Sequence, residues 1–321
     1  MRRTLAARAP TRLDFGGGWT DVAPYVHDYG AAVCNVAITR YATATVSLDD
    51  DAPDAHAPSM HAGDDALVRA ALRSSPVPRA VASVASDFPV GAGLGGSSAA
   101  GVALAGALAA LAGQSLDPAT LAERSRRTEV EELGVAGGFQ DHYAAAFGGA
   151  LLLTSHSPVR VERIPLPDAC ASALARRIIL VYTGQSRISA HTIAAVADAC
   201  RLRDARVCHA LDECRRLAQR MADALRRGDV DALGALVGEH WAHQRALHPS
   251  ITTDRIDAIH DACARAGALG MKALGASGGG CVMAVARDGA EDALASALAP
   301  FGERLAFQVD RTGFHLLPSV R

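Results

Sequence analysis

Residues 81–113 read VASVASDFPVGAGLGGSSAAGVALAGALAALAG, and the order of their signals governs the fold. Val81–Val90 is strand-like and ends at Pro89; it opens directly onto GAGLGG and then an alanine-rich apolar helix. Glycine lets a backbone turn tightly and approach a ligand, and the free amides and dipole of the following helix start favour an anion such as phosphate. Ser97 and Ser98 sit where a hydroxyl can cap that helix or ligate Mg²⁺. On these residues alone a phosphate loop and a helix-packing loop both stay open. Two familiar readings are set aside. A Walker loop needs Gly-Lys followed by Ser or Thr, and the segment has no lysine. A dinucleotide fold wants an acidic residue at the end of a second strand, whereas Asp117 lies in a turn after the helix.

Outward from this core, Ala31–Leu48 reads as one long strand or a strand pair, and 49–65 as a polar loop. Leu116–Glu132 reads as a helix entered through Asp117-Pro118, and Ala150–Thr154 as a strand after GGFQDHYAAAFGG. Pro158, Pro165 and Pro167 mark a composition shift, so the expected domains are 1–165 and 166–321. The second half reads as a strand at Arg177–Tyr182, helices at Ser189–Leu225, Asp229–Ala246 and Asp254–Gly267, and strand-like MKALGA and CVMAVA around SGGG. A helix at Ala290–Ala299 and a strand at Leu305–Val309 close it. Interleaved strands and helices in both halves imply a two-domain α/β or α+β protein.

The chain has 321 residues, 50% of them apolar and 21% charged, with a net charge of −2. That composition excludes a disordered chain and offers no electrostatic footprint for nucleic acid. Gly101–Gly113, the longest apolar run, is too short to span a bilayer, and the N-terminus lacks a signal-peptide core, so a cytoplasmic protein is expected. Seven cysteines without a CxxC pair suit buried free thiols. His240 and His243, in EHWAH, lack a third ligand at metal spacing and read as a solvated helix face. Of 32 basic residues one is lysine, Lys272, beside a glycine cluster.

Two further glycine clusters flank the first in sequence. RLDFGGGWTD, residues 12–21, sets an arginine and two carboxylates around glycines, suiting sugar hydroxyls or an Asp-stabilised turn. KALGASGGGC, residues 272–281, joins two strand-like segments as a hairpin or bulge.

Taken together, in this order, the three segments resemble the GHMP kinase superfamily of small-molecule kinases. PVGAGLGGSSA resembles its atypical phosphate loop and LGASGGGC its C-terminal glycine motif. Within the superfamily RAPTRLDFGGGWTD, GGFQDHYAAAFGG, YTGQSRISA and the stretch from HWAHQRALHPSITTDRID to GALGMKALGASGGG look most like D-glycero-D-manno-heptose 7-phosphate kinases, which share much with the kinase domain of L-fucokinases. The resemblance implies an N-terminal domain like ribosomal protein S5 domain 2 and a ferredoxin-like C-terminal domain, with ATP and Mg²⁺ at their junction. It implies phosphorylation of an anomeric hydroxyl, that of the heptose 7-phosphate above all, in a monomer or homodimer with no nucleic-acid or membrane partner. A kinase of an unphosphorylated sugar such as L-fucose or galactose, or a non-catalytic sugar sensor, is the alternative.

By the same resemblance Asp141 matches the catalytic aspartate and Arg12 its arginine, nine residues before the substrate-binding Asp21. Gly91, Gly93, Leu94, Gly95, Gly96, Ser97 and Ser98 match the nucleotide loop. Ser97 and Glu129 match the Mg²⁺ ligands, with Glu131 and Glu132 as competing carboxylates. Gly17, Gly18, Arg187, Gly278 and Gly279 join Asp21 at the substrate, and Arg187 with Arg245 would hold a sugar phosphate. His142 stands where the family usually has glutamine.

Overall fold

The computed structural model describes residues 4–48, 66–155, 158–185 and 190–318; the loop expected over 49–65 lies outside them. In chain order the first half carries β1 (Thr4–Gly16), α1 (Tyr25–Tyr29), β2 (Ala31–Leu48), α2 (Ala66–Arg73), β3 (Ala80–Ser86), α3 (Gly96–Leu111), α4 (Pro118–Arg126), α5 (Gln140–Phe147), β4 (Ala150–Ser155) and β5 (Val159–Ile164). There follow α6 (Asp168–Arg177), β6 (Ile178–Tyr182), α7 (Ala190–Arg201), α8 (Ala205–Arg226), α9 (Val230–Ala246), α10 (Asp254–Arg265), β7 (Gly270–Ala273), β8 (Cys281–Val285), α11 (Glu291–Leu298), β9 (Glu303–Arg304) and β10 (His315–Leu316).

Two sheets result. One runs β10-β1-β2-β4-β5, with β3 also on β2, and the other runs β7-β8-β6-β9. Every pairing between these strands is antiparallel, so the fold is α+β. The first sheet packs one face on α3, where Ala7, Ala9, Val33 and Val46 meet Val102, Leu104 and Leu108. Its other face packs on α8, where Leu13, Phe15, Cys34 and Val36 meet Leu217 and Met221, in a core that continues to Leu180 and Met283 of the second sheet. A third core lies on the far face of the second sheet, between Ile179, Val282 and Ala284 and the residues Ile256, Ile259 and Leu294 of α10 and α11.

Several expected elements change on folding. β1 is a strand that the sequence hides, because Pro10, Arg12 and Asp14 interrupt its alternation. Its register jumps between Pro10↔Tyr41 and Thr11↔Ile38, so the proline's missing N–H falls at a bulge. At the same point β1's odd-numbered residues change cores, Ala9 facing α3 and Leu13 facing α8. The strand expected to Val90 stops at Ser86, and the helix expected to Glu132 becomes π-helical from Arg127. The long helix from 189 divides at Arg203, left-handed at φ 54°, where the Asp204 side chain accepts from Val207 N at 3.0 Å and starts α8. The expected strand at Leu305–Val309 keeps a single bridge, Ile38↔Val309. Beyond it the tail reaches back to the first sheet, pairing Ala7 with Leu316. Among the described residues no helix is long and apolar enough to cross a membrane.

Candidate active site

The glycine loop is pinned by alternation. Gly91, Gly93 and Gly95 hold φ values of 73, 73 and 75°, which favour glycine. The intervening Ala92 and Leu94 bury their side chains in the central core. Their carbonyls are fixed too: Ala92 O accepts from Cys281 N at 2.8 Å and Leu94 O from Arg12 N at 3.1 Å. The C-terminal glycine cluster buttresses this loop directly. A Cβ on Gly93 would lie 2.7 Å from the Leu274 carbonyl oxygen, and one on Gly275 would lie 3.0 Å from Gly93 Cα. The 272–281 segment is therefore a β7–β8 hairpin, as expected from the sequence, and also the floor of the loop. The amides of Gly96, Ser97 and Ser98 precede the first bond of α3, Ala99 N to Gly95 O, and so are available to an anion.

Behind the loop the two serines face a carboxylate. Ser98 Oγ donates to Glu129 Oε2 at 2.9 Å. Burial raises the Glu129 carboxyl above its ordinary range, and the Ser97 and Ser98 hydroxyls hold it back in part. His142, buried and pushed down to about 3 by burial and by Arg126, is neutral. One ring nitrogen, Nδ1, meets Ser125 Oγ at 2.9 Å, and the other, Nε2, lies 3.3 Å from Glu129 Oε2. Two hard oxygen donors around a partly desolvated carboxylate can take one divalent cation alongside phosphate oxygens. Among the described residues no group of three or more His, Cys, Asp and Glu forms a metal cluster.

Across the loop, Arg12 Nε donates to Asp141 Oδ1 at 2.7 Å and an Arg12 terminal nitrogen donates to Gly93 O at 2.7 Å. One buried guanidinium thus joins β1, the loop and the first turn of α5. Gly95 leaves room for this approach, since a Cβ there would lie 2.9 Å from Asp141 Cγ. Asp21 is buried and accepts from Gln140 N at 3.0 Å. Burial, with Asp141 and Asp14 adding repulsion, pushes its carboxyl up to about 7. Gly138 must be glycine for this packing, because a Cβ would lie 1.9 Å from Asp21 Oδ2.

A single cleft of ≈ 720 Å³ is lined by Arg12, Gly18, Asp21, Gly91, Gly93, Leu94, Gly95, Gly96, Ser97, Ser98, Glu129 and Asp141. That volume suits a small-molecule site. Gly17, Gly278 and Gly279 stand outside its lining. Gly17 N donates to His240 Nε2 at 2.9 Å, Gly278 N donates to Ile251 O at 2.9 Å, and a Cβ on Gly279 would lie 2.6 Å from Gln185 O. Arg187 lies outside the described residues. Arg245 pairs with Asp257 at 3.2 Å away from the cleft lining, and Glu131 with Arg126 at 3.2 Å. His240 is not solvated: it is fully buried under the Gly17 amide. Sequence reasoning did not find the pair Lys272 Nζ–Asp14 Oδ2 at 2.9 Å, although the lone lysine was its signal.

The N-terminal domain model of the GHMP kinases matches residues 65–149, covering the loop, Glu129 and Asp141. The C-terminal model of the same family matches 221–303, covering the second glycine cluster. The chain is 29% identical over 305 residues to the D-glycero-alpha-D-manno-heptose 7-phosphate kinase of Campylobacter jejuni, spanning 87% of this chain and 88% of that one. It is 32% identical over 247 residues to a galactokinase of Mycobacterium bovis, 67% of each chain. The crystal structure of a D-glycero-D-manno-heptose 1-phosphate kinase from Bacteroides thetaiotaomicron superposes with a TM-score of 0.78 at 24% identity, over 99% of this chain and 100% of that one, a likeness of fold. Since both models fall in order on the segments that build the cleft, the chain belongs to the GHMP kinase family of ATP-dependent phosphotransferases.

Proposed function

We propose that the chain transfers the γ-phosphoryl group of ATP to the anomeric hydroxyl of D-glycero-D-manno-heptose 7-phosphate, giving the 1,7-bisphosphate. The contact that carries this reading is Arg12 Nε–Asp141 Oδ1 at 2.7 Å beside the glycine loop. It sets a carboxylate and a fixed cation where an acceptor hydroxyl would meet a phosphate held on the α3 amides. Asp141 orients that hydroxyl and takes its proton as the new O–P bond forms and the bond from the γ-phosphorus to the β–γ bridging oxygen breaks, ADP leaving. Arg12 keeps Asp141 in place and offsets negative charge gathering on the transferring group. Asp21 accepts acceptor hydroxyls. Ser98 and Glu129, with Ser97, would hold Mg²⁺, which supplies charge neutralisation at the phosphates. The division of the chain near residue 165 belongs to the same proposal, the cleft drawing on both halves.

The heptose assignment rests on the Campylobacter relative, whose likeness spans nearly the whole chain. The Bacteroides neighbour's name points to a heptose 1-phosphate product or substrate, and its 24% identity speaks for fold. A second reading, a kinase of an unphosphorylated sugar, is favoured by the galactokinase likeness. The test is incubation with Mg-ATP and a panel of heptose 7-phosphate, L-fucose, galactose and mannose, with products read by mass and phosphorus NMR. A second phosphate on the heptose anomeric oxygen is expected. Turnover confined to unphosphorylated sugars would overturn the heptose reading in favour of the second, and no turnover with any sugar would favour a sensor.

A further inference from the structure

Charges alternate along a buried line from the second sheet to the cleft. Lys272 on β7 is fully buried, and its Nζ lies 2.9 Å from Asp14 Oδ2. Asp14 and Arg12 are two residues apart in an unbroken stretch of β1, opposite Asn35 and Ala37, and so share a face. Arg12 in turn donates to Asp141 and to Gly93 O, both at 2.7 Å. Arg12 therefore stands in the field of two carboxylates, Asp14 and Asp141. Burial by itself would raise the Asp14 carboxyl, but Lys272, His240 and Arg12 together bring it below its ordinary value, so it is charged. Its second oxygen has no hydrogen-bond partner among the described residues.

A buried carboxylate left without its partner is costly, and a cation close enough to be drawn to it lessens that cost. The nearest alternative cation on this line is Arg12. We infer that Lys272 is a positioning residue: by holding Asp14 from the second sheet, it reserves the Arg12 guanidinium for Asp141 and the glycine loop. The identity of the residue fits the task. Arg serves at every other basic position of the chain, yet a guanidinium presents five N–H donors in a plane, and this enclosed site offers a carboxylate oxygen. A compact ammonium satisfies it. The inference rests on the proposed reading of Arg12 and Asp141 as the transfer pair.

The test uses the full chain as wild type, Lys272→Met, Lys272→Met with Asp14→Asn, and Asp141→Asn. For each, kcat and KM are measured with Mg-ATP and whichever sugar the wild type phosphorylates, well below the melting temperature of every variant. Lys272→Met is expected to lose about a hundredfold in kcat, the scale of losing a placed charge at a transfer site, with KM for ATP within a few fold. Adding Asp14→Asn removes the competing charge and is expected to restore kcat at least about tenfold. A merely structural role would lower the melting temperature and leave kcat of the folded protein unchanged, which overturns the inference; so does a double variant no faster than Lys272→Met. Where Lys272→Met does not fold, the double variant decides: kcat within about tenfold of wild type supports the inference, and a loss of a hundredfold or more overturns it. Asp141→Asn separates the two claims. If it turns over like wild type, the transfer-pair reading fails; if it is inactive and rescue is absent, only the role of Lys272 fails.

Discussion

At the scale of single residues, burial sets the chemistry. Asp21 and Asp141 line the same cleft, but Asp21 is buried and its carboxyl is pushed up to about 7. Below that pH Asp21 is neutral and offers one proton and fewer acceptor sites; above it the carboxylate accepts several O–H bonds. The affinity of the proposed acceptor sugar is therefore expected to rise between pH 6 and pH 8, and Asp21→Asn to weaken binding and flatten that dependence, by calorimetric titration at the two pH values. The stability sign follows from the same shift. A carboxyl whose pKa is raised on folding contributes stability that is present below its unfolded value and lost as pH rises through about 7. Asp21→Asn is thus expected to lessen the fall in melting temperature between pH 5 and pH 8 measured for wild type. Sequence reading reached Asp21, Asp141, Arg12 and Glu129 because each sits in or at fixed spacing from a local motif. It did not pair Lys272 with Asp14, 258 positions apart, because no local pattern records a long-range ion pair.

At the scale of elements, the loop before α3 works because glycines that turn alternate with side chains that anchor. Gly93→Ala forces an L-residue into left-handed backbone and drives a methyl toward the Leu274 carbonyl. The conformational cost alone is about 1–2 kcal/mol. A lower melting temperature and weaker ATP binding are expected, by thermal unfolding and nucleotide titration. The strand, glycine loop and helix around residues 81–113 were legible because a hydrophobic run, a glycine cluster and an alanine helix follow without interruption. β1 was not, since Arg12 and Asp14, charged residues that it buries, break the alternation that would have revealed it. α5 was missed for a related reason: QDHYAAAF opens with the polar residues of the cleft and closes on Gly148 only eight residues later. The division between α7 and α8 was hidden because Leu202 and Arg203 continue a helical composition while turning outward.

At the scale of the whole molecule, the chain returns to its start, pairing β10 with β1, the strand that carries Arg12. Asp310 is buried, accepts from Thr312 N at 3.0 Å and Gly313 N at 2.7 Å, and receives the Tyr41 hydroxyl at 2.8 Å. It locks the turn that carries Phe314 against Gly106 of α3 and β10 against β1. Asp310→Ala is expected to cost about 2–4 kcal/mol by removing three hydrogen bonds to a buried carboxylate, read from denaturant unfolding. The sequence reading ended its last strand at Val309 and assigned no element to His315–Leu316, because nothing local says that they join the first sheet. Through that return and through β7, both sheets converge on one contact, Arg12 with Asp141 beside the glycine loop. The most direct measurement compares wild type with Asp141→Asn, following ATP-dependent phosphorylation by phosphorus NMR and ATP binding by titration. The account predicts that Asp141→Asn folds and binds ATP like wild type while turnover falls by about a thousandfold or more. Turnover at the wild-type rate would contradict it.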